Sequence, residues 1–479
     1  MDNKKQEALG MPPNTTMPNN MPSTWNELSF TSGNADLLAR DEQAFLRQSG
    51  STPCIAAIKH AEGIWLEDAS GHRFMDLHGN NVHHVGYGEP RVIQAIMDQM
   101  RSLPFTPRRF TDEPAIELAE KLIKLWPGGS GKVLFATGGS DAIEIALKIA
   151  RVATGRYKTI SFYGAYHGSG FGALSIGGRH VDRPAELGPL VPGALHVPAY
   201  YRSPLESGTI ACDSEEWAVQ SLASMRTVFE RDGDIAAVIG EPIRSAPYIP
   251  PGWFWPEVRA LCDAHGALLI FDEIPTGLGK TGKMFASEHF GVRPDITVVG
   301  KSLGGGILPI AAVIASTALD CAQHLTLGHY THEKNPVTAR AALATLNVID
   351  QDRLVENARN VGETALHRLR EIAEGSPIVT SVRGKGLLLA VDVKAGDQDD
   401  LVPGDVAKSI AMKLFQRGIS ISASSDGVLS LSAPLTITAL EMAQALDALE
   451  DVLQEMLPRR VQRLDSAEAA EPLSISNAR

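Results

Sequence analysis

Two residues of this 479-residue sequence stand where the chain is predicted to leave an apolar strand, and both have side chains that can do chemistry. Asp272 follows the apolar residues 268–271, and Lys301 follows residues 296–300 and precedes several glycines. A partly desolvated lysine can form an imine with an aldehyde and can later act as a base. If a ligand has an aromatic ring with a nitrogen atom, a carboxylate close to that nitrogen favours its protonated form. Protonation makes such a ring a better electron sink. The pair therefore favours imine chemistry at Lys301, with a carboxylate that can stabilise a protonated nitrogen nearby.

Five short apolar runs, separated by helical patterns, must position these side chains. This alternation is typical of βαβ units and a mostly parallel sheet. Each run ends on a polar or glycine-rich group, and ligands of open α/β sheets bind at the carboxyl ends of the strands. We therefore expect the groups after the runs to converge on one site. The runs are residues 132–136, 159–162, 236–240, 268–271 and 296–300.

The first of these runs leads into a predicted anion site. Gly138, Gly139 and Ser140 precede an amphipathic helical pattern over residues 141–148. The free N–H groups at a helix N-terminus bind anions, and glycines allow the backbone to approach a ligand closely. The segment predicts a phosphate site beside the Asp272 and Lys301 pair.

Together these motifs resemble the class III family of pyridoxal-phosphate (PLP) aminotransferases, which have PLP fold type I. The family pattern is an apolar strand, Asp-Glu-Val-Gln-Thr-Gly, then Pro-Asp-Ile and a lysine followed by glycines. The matching residues here are Asp272-Glu273-Ile274-Pro275-Thr276-Gly277, Pro294-Asp295-Ile296 and Lys301. The resemblance runs from about residue 60 to 450. It implies an α/β fold: a large domain with a mostly parallel mixed sheet flanked by helices, and a smaller α+β domain.

The resemblance also implies the cofactor, pyridoxal 5′-phosphate, and the roles of individual residues. Lys301 would carry the cofactor as an imine and act as the catalytic residue, while Tyr166 would stack on the ring. Thr331 would reach the cofactor phosphate of a neighbouring subunit, so the family implies a homodimer with shared active sites. Core packing for Tyr166 and a structural role for Glu241 stay open. The implied cofactor-binding residues are Gly139, Ser140, Tyr166, Glu241, Asp272, Lys301 and Thr331.

Three departures from the family pattern bear on the reaction. Pro275 replaces a glutamine that touches the ring hydroxyl, and His332-Glu333-Lys334 places polar side chains after Thr331. Ser430 stands where many members have an arginine that clamps a carboxylate. A desolvated carboxylate without a partner costs several kcal/mol, so another cation replaces the arginine or the substrate is not an ordinary α-amino acid. The candidate replacements are Arg108, Arg109, Arg244, His83, His84, His332 and Lys334, of which we expect Arg108, Arg244, His332 and Lys334 to bind substrate.

The family includes lyases as well as aminotransferases, and the departures favour a lyase. A lyase needs no keto-acid acceptor, so it tolerates the loss of the arginine. The run from Tyr330 to Pro336 resembles the family's lyases for (R)-1-hydroxy-2-aminoethylphosphonate, which implies an amino-phosphonate substrate and the products phosphonoacetaldehyde and ammonia. The alternatives are an ω-aminotransferase for aminoethylphosphonate, a diamine or a β-amino acid, and a non-catalytic binding protein with the PLP fold, which the intact Asp272 and Lys301 disfavour.

Composition narrows the possible partners and the location. A formal net charge of −12 and the absence of a long basic run exclude a general nucleic-acid binder. No apolar stretch approaches the roughly 20 residues that cross a bilayer. The first 25 residues lack the charged segment followed by an apolar segment that is typical of a signal peptide, so we predict a cytoplasmic protein. The four cysteines and the His83-His84 pair lack the spacing of a disulfide frame or a metal site, and we expect no metal.

The sequence also predicts a domain organisation. Residues 1–25 would form a flexible extension, and residues 26–105 would join the small domain. Residues 106–345 would form the large PLP-binding domain, residues 346–458 the C-terminal small domain and residues 459–479 a flexible tail.

Overall fold

The computed structural model describes residues 32–48, 54–201, 215–395 and 401–456. The predicted extension over residues 1–25 and the predicted tail over residues 459–479 lie outside these ranges. The chain divides into two compact units, the first made of Met1–Ala61 with Leu66–Arg73 and the second of Glu62–Trp65 with Phe74–Arg479. The predicted domain boundaries stay a prediction.

The described part of the first unit contains helix α1 (Ser32–Ala44), most of strand β1 (Ile58–Glu62) and most of strand β2 (Trp65–Asp68). The buried carboxylate of Asp68 organises it. This carboxylate accepts hydrogen bonds from Asn34 Nδ2 at 2.9 Å and from the backbone N–H groups of Ser70 and His72 at 2.8 and 2.9 Å.

A seven-stranded mixed sheet forms the centre of the second unit, with strand order β4-β10-β9-β8-β7-β5-β6. Neighbouring strands from β9 to β6 pair in parallel, and β10 is antiparallel to both of its neighbours. The predicted α/β fold with a mostly parallel mixed sheet is confirmed. The strands are β4 (Gly131–Ala136), β5 (Lys158–Phe162), β6 (Ala194–Val197), β7 (Ile235–Gly240), β8 (Leu268–Asp272), β9 (Ile296–Val299) and β10 (Ala311–Ser316).

Helices bury both faces of this sheet, which explains why its central strands are continuously apolar. Ile239 and Ile270 face a cluster formed with helix α4 (Gly139–Thr154). Their neighbours Val238 and Leu269 face the opposite side. The helices on that side are α6 (Glu215–Arg231) and α7 (Phe254–His265).

The remaining helices of this part of the chain lie before and after the sheet strands. They are α2 (Pro90–Ser102), α3 (Glu113–Leu125), the short α5 (Phe171–Ile176) and α8 (Pro336–Gln351). Buried residues of α2, α3 and α8 share a core cluster with Phe135 of β4 and Val299 of β9.

The C-terminal part of the second unit is a smaller α+β arrangement, as predicted. Its antiparallel sheet has strand order β11-β12-β15-β14, and β3 (Arg73–Asp76) pairs with β13 (Ile419–Ser420) in parallel through Met75 and Ile419. The sheet consists of β11 (Val379–Lys385), β12 (Leu388–Val393), β14 (Ser422–Ala423) and β15 (Val428–Ser432), and the helices are α9 (Leu354–Glu374), α10 (Pro403–Gln416) and α11 (Ala439–Glu455).

Within the described ranges, no helix is both long and apolar enough to cross a membrane. The predicted cytoplasmic location is a separate claim and stays a prediction.

The end of β7 is packed so closely that it requires glycine. A Cβ on Gly240 would lie 2.6 Å from Trp255 and 2.9 Å from Phe162, whereas a Cβ on Gly233 would meet nothing within 4 Å. Overpacking a core costs about 1–3 kcal/mol. We therefore expect Gly240→Ala to lower the free energy of unfolding by about that amount in urea titrations. Gly233→Ala is the matched control, and equal midpoints for the two variants would contradict the packing argument.

Candidate active site

Three parallel strands deliver the predicted chemical groups to one edge of the large sheet. Strand β7 ends just before Glu241, β8 ends on Asp272, and β9 ends two residues before Lys301. Their side chains line one cavity of about 310 Å³. The lining residues are Gly139, Ser140, Tyr166, His167, Gly168, Arg179, Glu241, Arg244, Ser245, Asp272, Ile274, Pro275 and Lys301.

The carboxylate of Asp272 is held from two sides. Its Oδ2 lies 2.8 Å from Nδ1 of His167, and its Oδ1 accepts a hydrogen bond from the backbone N–H of Ile274 at 3.1 Å. Both side chains are buried, and Nε2 of His167 is a buried nitrogen without a hydrogen-bond partner among the described residues. These contacts fix the direction in which the carboxylate faces the cavity. His167 was not among the predicted site residues, although it lies beside Tyr166 in the same motif.

The start of helix α4 forms a cradle for an anion. Ser140 Oγ accepts a hydrogen bond from the backbone N–H of Ser169 at 3.0 Å, which joins the helix start to the Tyr166 loop. A Cβ on Gly168, where φ is +132°, would lie 2.5 Å from Ser140 Oγ. A Cβ on Gly139 would lie 2.8 Å from Ile274 Cδ1. Side chains at either glycine would fill the space next to the helix N-terminus, where backbone N–H groups favour a phosphate.

Tyr166 presents its ring to the cavity. The side chain is 41% exposed, so a planar ligand can reach the ring, and its hydroxyl lies 3.1 Å from Ser169 Oγ. The guanidinium of Arg179 lies 5.8 Å from the ring centroid. Pro275 also lines the cavity and offers no side-chain donor, so a ring hydroxyl would have to find another partner.

Glu241 and Arg244 form a buried ion pair at the cavity wall. Arg244 Nε lies 3.2 Å from Glu241 Oε1, and Glu241 Oε2 accepts a hydrogen bond from the backbone N–H of Ser245 at 3.3 Å. Arg244 Nη1 donates to the backbone oxygen of Gly164 and to the hydroxyl of Tyr201. Among the described residues, Arg244 Nη2 has no hydrogen-bond partner. Only the two N–H groups of Nη2 therefore remain for a ligand anion, and we call them the open edge of the guanidinium.

Lys301 lies in a strained turn. It begins the short 3₁₀ segment Lys301–Gly304, and its φ of +46° is in the left-handed region that non-glycine residues rarely adopt. The glycines that follow are closely packed, since a Cβ on Gly305 would lie 2.8 Å from Thr345 Oγ1. The side chain itself is exposed in the single chain. The turn directs Lys301 into the cavity rather than along the sheet.

The segment after Tyr330 lies apart from this cavity. Thr331, His332 and Lys334 are exposed and do not line it. Arg108 binds this segment instead, donating from Nε to Glu333 Oε1 and from Nη2 to the backbone oxygen of Tyr330, both at 3.0 Å. The structure thus groups Arg108, His332 and Lys334 with Thr331, and it places only Arg244 of the four predicted substrate-binding residues beside Lys301.

His83 and His84 are buried structural residues. His83 Nε2 lies 3.1 Å from the backbone oxygen of Asp76, and His84 Nε2 lies 3.2 Å from that of Gly277. Burial lowers the pKa of His83 to about 4 and lowers the pKa of His84 as well, so neither ring is a cation near neutral pH. Within the described ranges, no cluster of potential metal ligands is present.

Two other groups singled out in the sequence also lie away from the cavity lining. Arg109 is exposed, and Ser430 lies in β15 opposite Ala390 of β12.

The chain belongs to the class III aminotransferase family, whose model matches residues 46–453. Over 444 residues it is 38% identical to the (R)-1-hydroxy-2-aminoethylphosphonate ammonia-lyase of Vibrio splendidus, covering 90% of this chain and 92% of that protein. It is also 32% identical to an alanine/serine racemase of Pyrococcus horikoshii, covering 85% and 87% of the two chains.

Solved structures show the same fold. An (S)-enantioselective omega-transaminase of Thermomicrobium roseum matches with a TM-score of 0.81 at 31% identity, covering 89% of this chain and all of the other. The taurine:2-oxoglutarate aminotransferase of Bifidobacterium kashiwanohense, in complex with PLP and glutamate, matches with a TM-score of 0.82 at 27% identity, covering 88% and 98%. PLP fold type I is confirmed.

PLP, the cofactor of this family, is confirmed as the cofactor of the chain, and the cavity fits it. The glycine cradle at α4 suits the phosphate, the accessible face of Tyr166 suits the ring, and the fixed carboxylate of Asp272 suits a protonated ring nitrogen. Lys301 lines the same cavity, and its amine suits the cofactor aldehyde.

Lys280 is a buried lysine that no pattern in the sequence singles out. Its side chain is fully buried, and Nζ donates to the backbone oxygen of Ala433 at 2.6 Å. Burial lowers the pKa of Lys280 to about 7, an effect that the negative charge of Asp76 opposes.

This pKa predicts a pH-dependent contribution to stability. In the unfolded chain a lysine titrates near pH 10.4, so between about pH 7 and 10 the unfolded chain binds a proton that the folded chain lacks. The free energy of unfolding should therefore rise with pH across this window, and Lys280→Met should lose this rise. Urea unfolding of both proteins at about pH 7 and pH 9.5 measures it. A wild-type minus variant difference that is independent of pH would rule out the lowered pKa.

Proposed function

We propose that this protein is a PLP-dependent ammonia-lyase that converts (R)-1-hydroxy-2-aminoethylphosphonate into phosphonoacetaldehyde and ammonia in phosphonate breakdown. The observation that carries the proposal is the placement of Arg244 in the same cavity as Lys301, with one edge of the guanidinium open. Arginine N–H groups form strong charge-assisted hydrogen bonds with phosphonate-like oxygens. The 38% identity to the Vibrio splendidus enzyme along nearly the whole chain supports the same substrate.

The roles of the remaining site residues follow from their positions. The cofactor supplies an electron sink for the carbon that bears the amine. Asp272, held by His167, keeps a proton on the ring nitrogen, and the glycine cradle with Ser140 holds the phosphate. Lys301 Nζ takes the proton from the carbon that bears the amine. Arg244 holds the phosphonate, which orients the hydroxyl on the neighbouring carbon for departure.

The reaction balances without a second substrate. A hydroxyl leaves the carbon next to phosphorus with a proton, as water, and one water enters when the carbon–nitrogen bond is hydrolysed. The products together contain the atoms of the substrate. This balance explains why the site needs no second carboxylate clamp, consistent with Ser430 in place of the family arginine.

We also propose a homodimer in which each chain completes the site of the other. Thr331 is exposed and lies outside its own chain's cavity, and Lys301 is exposed in the single chain. A partner that covers Lys301 would exclude water from the reacting atoms. In this arrangement His332, Lys334 and Arg108 approach the substrate entrance of the partner's site.

An ω-aminotransferase is the rival function. The similar Bifidobacterium kashiwanohense structure is a taurine aminotransferase, and taurine, like aminoethylphosphonate, joins a primary amine to an anionic group. Such an enzyme would use the same Arg244 and Lys301, but it would require a keto acid to accept the amino group.

We expect the purified enzyme with bound PLP to release ammonia and phosphonoacetaldehyde from the hydroxy-aminophosphonate when no acceptor is present. A coupled ammonia assay measures the rate, and aminoethylphosphonate, which has no hydroxyl to expel, is the matched control substrate. Turnover that begins only when pyruvate or 2-oxoglutarate is added would contradict the lyase proposal and would show that the enzyme is an aminotransferase.

A further inference from the structure

Four side chains form a row from the cavity to the C-terminal sheet. The rings of Tyr201 and Tyr248 stack in parallel, with centroids 3.9 Å apart and planes 7° apart. The guanidinium of Arg244 lies 5.5 Å from the Tyr201 centroid, and that of Arg383 lies 4.2 Å from the Tyr248 centroid. We call this set, Arg244-Tyr201-Tyr248-Arg383, the stacked row.

The far end of the stacked row is anchored in the antiparallel sheet. Arg383 of β11 forms a buried ion pair with Asp392 of β12, and the two strands pair directly at Arg383 and Ala390. Both charged side chains are nearly inaccessible to water. Breaking such a pair leaves an uncompensated buried charge, so the guanidinium of Arg383 has little freedom to move.

The near end of the stacked row sets the orientation of Arg244. The Tyr201 hydroxyl accepts a hydrogen bond from Arg244 Nη1, and Glu241 faces Arg244 Nε. Burial raises the pKa of the Tyr201 phenol, so the ring stays neutral and its face remains a favourable surface for a cation. The position of the Tyr201 ring depends in turn on Tyr248, which stacks on it.

We propose that Tyr248 and Arg383 are positioning residues that hold the open edge of Arg244 toward the substrate's anionic group. This inference rests on the proposed function in one respect, the binding of the phosphonate by Arg244. The stacked row makes substrate affinity depend on residues that do not line the cavity. A shift of the Tyr201 or Tyr248 ring would turn the Arg244 guanidinium away from the substrate's anionic group. Cofactor binding does not depend on the row, since Asp272, the glycine cradle and Lys301 are held by other contacts.

Calorimetric binding of ethylphosphonate to the enzyme with bound PLP tests the proposal. Tyr248→Leu removes the stacked ring, and we expect it to weaken ethylphosphonate binding about tenfold, the effect of losing a desolvated cation–π and stacking pair. The cofactor absorbance and its dissociation constant should not change. Tyr248→Phe keeps the ring and should restore the affinity. With the hydroxy-aminophosphonate, the loss should appear in kcat/KM, because Arg244 both binds the phosphonate and orients the leaving hydroxyl.

Two further variants keep the test independent of folding. Tyr157→Leu is the matched control, because Tyr157 also lies near a cation, Lys158 at 5.9 Å, but is half exposed and outside the stacked row. Arg383→Lys keeps the charge beside Asp392 but removes the planar guanidinium, so it should weaken ethylphosphonate binding even if Tyr248→Leu fails to fold.

The outcomes separate this inference from the proposed function. Wild-type protein that does not bind ethylphosphonate would overturn both the anion site at Arg244 and the proposal built on it. Wild-type protein that binds it, with equal affinity in both Tyr248→Leu and Arg383→Lys, would overturn the role of the stacked row alone. Weaker binding in either variant, with rescue by Tyr248→Phe, supports the proposal.

Discussion

The register of three parallel strands determines the active site of this chain. Strands β7, β8 and β9 end at the same edge of the sheet and deliver Glu241, Asp272 and Lys301 within a single cavity. Both faces of these strands are buried, and in β7 and β8 a slip of one residue would exchange the side chains packed against α4 with those packed against α7. The same packing that stabilises the sheet therefore fixes the positions of the reacting groups.

At that edge of the sheet, each of the two cavity carboxylates has a partner side chain. The Asp272 carboxylate is hydrogen-bonded to His167, and the Glu241 carboxylate forms an ion pair with Arg244. Neither carboxylate therefore takes the amine of Lys301 as its partner. A buried carboxylate without such a partner would be costly. Besides Lys301, the cationic groups that face a ligand in the cavity are the open edge of Arg244 and the guanidinium of Arg179. This arrangement suits a substrate with an amine at one end and a phosphonate at the other.

The sequence predicts the fold and much of the cavity because apolar runs and the groups after them are local features. Asp272, Lys301, Gly139 and Ser140 could be found in this way, and the structure brings them together. The contact between His167 and Asp272 joins residues 105 positions apart, and nothing in the local pattern specifies it. Its only signal was the position of His167 beside Tyr166.

Other features depend on tertiary packing or on a second chain. The burial of Lys280 and the stacked row arise where distant strands and loops meet, so the residue types alone could not reveal them. His83 and His84 look like candidate cations in the sequence, but burial keeps them neutral. Thr331, His332 and Lys334 lie apart from the cavity of their own chain, and the predicted role of Thr331 involves a partner subunit.

Borohydride reduction shows whether Lys301 is the residue that carries the cofactor. Reduction of the enzyme with bound PLP fixes the cofactor to the amine that holds it, and peptide mass mapping then locates the modified lysine. We expect one phosphopyridoxyl group per chain, on Lys301. A label on Lys280 or Lys334, or an unlabelled Lys301 peptide from enzyme that retains its cofactor, would contradict it.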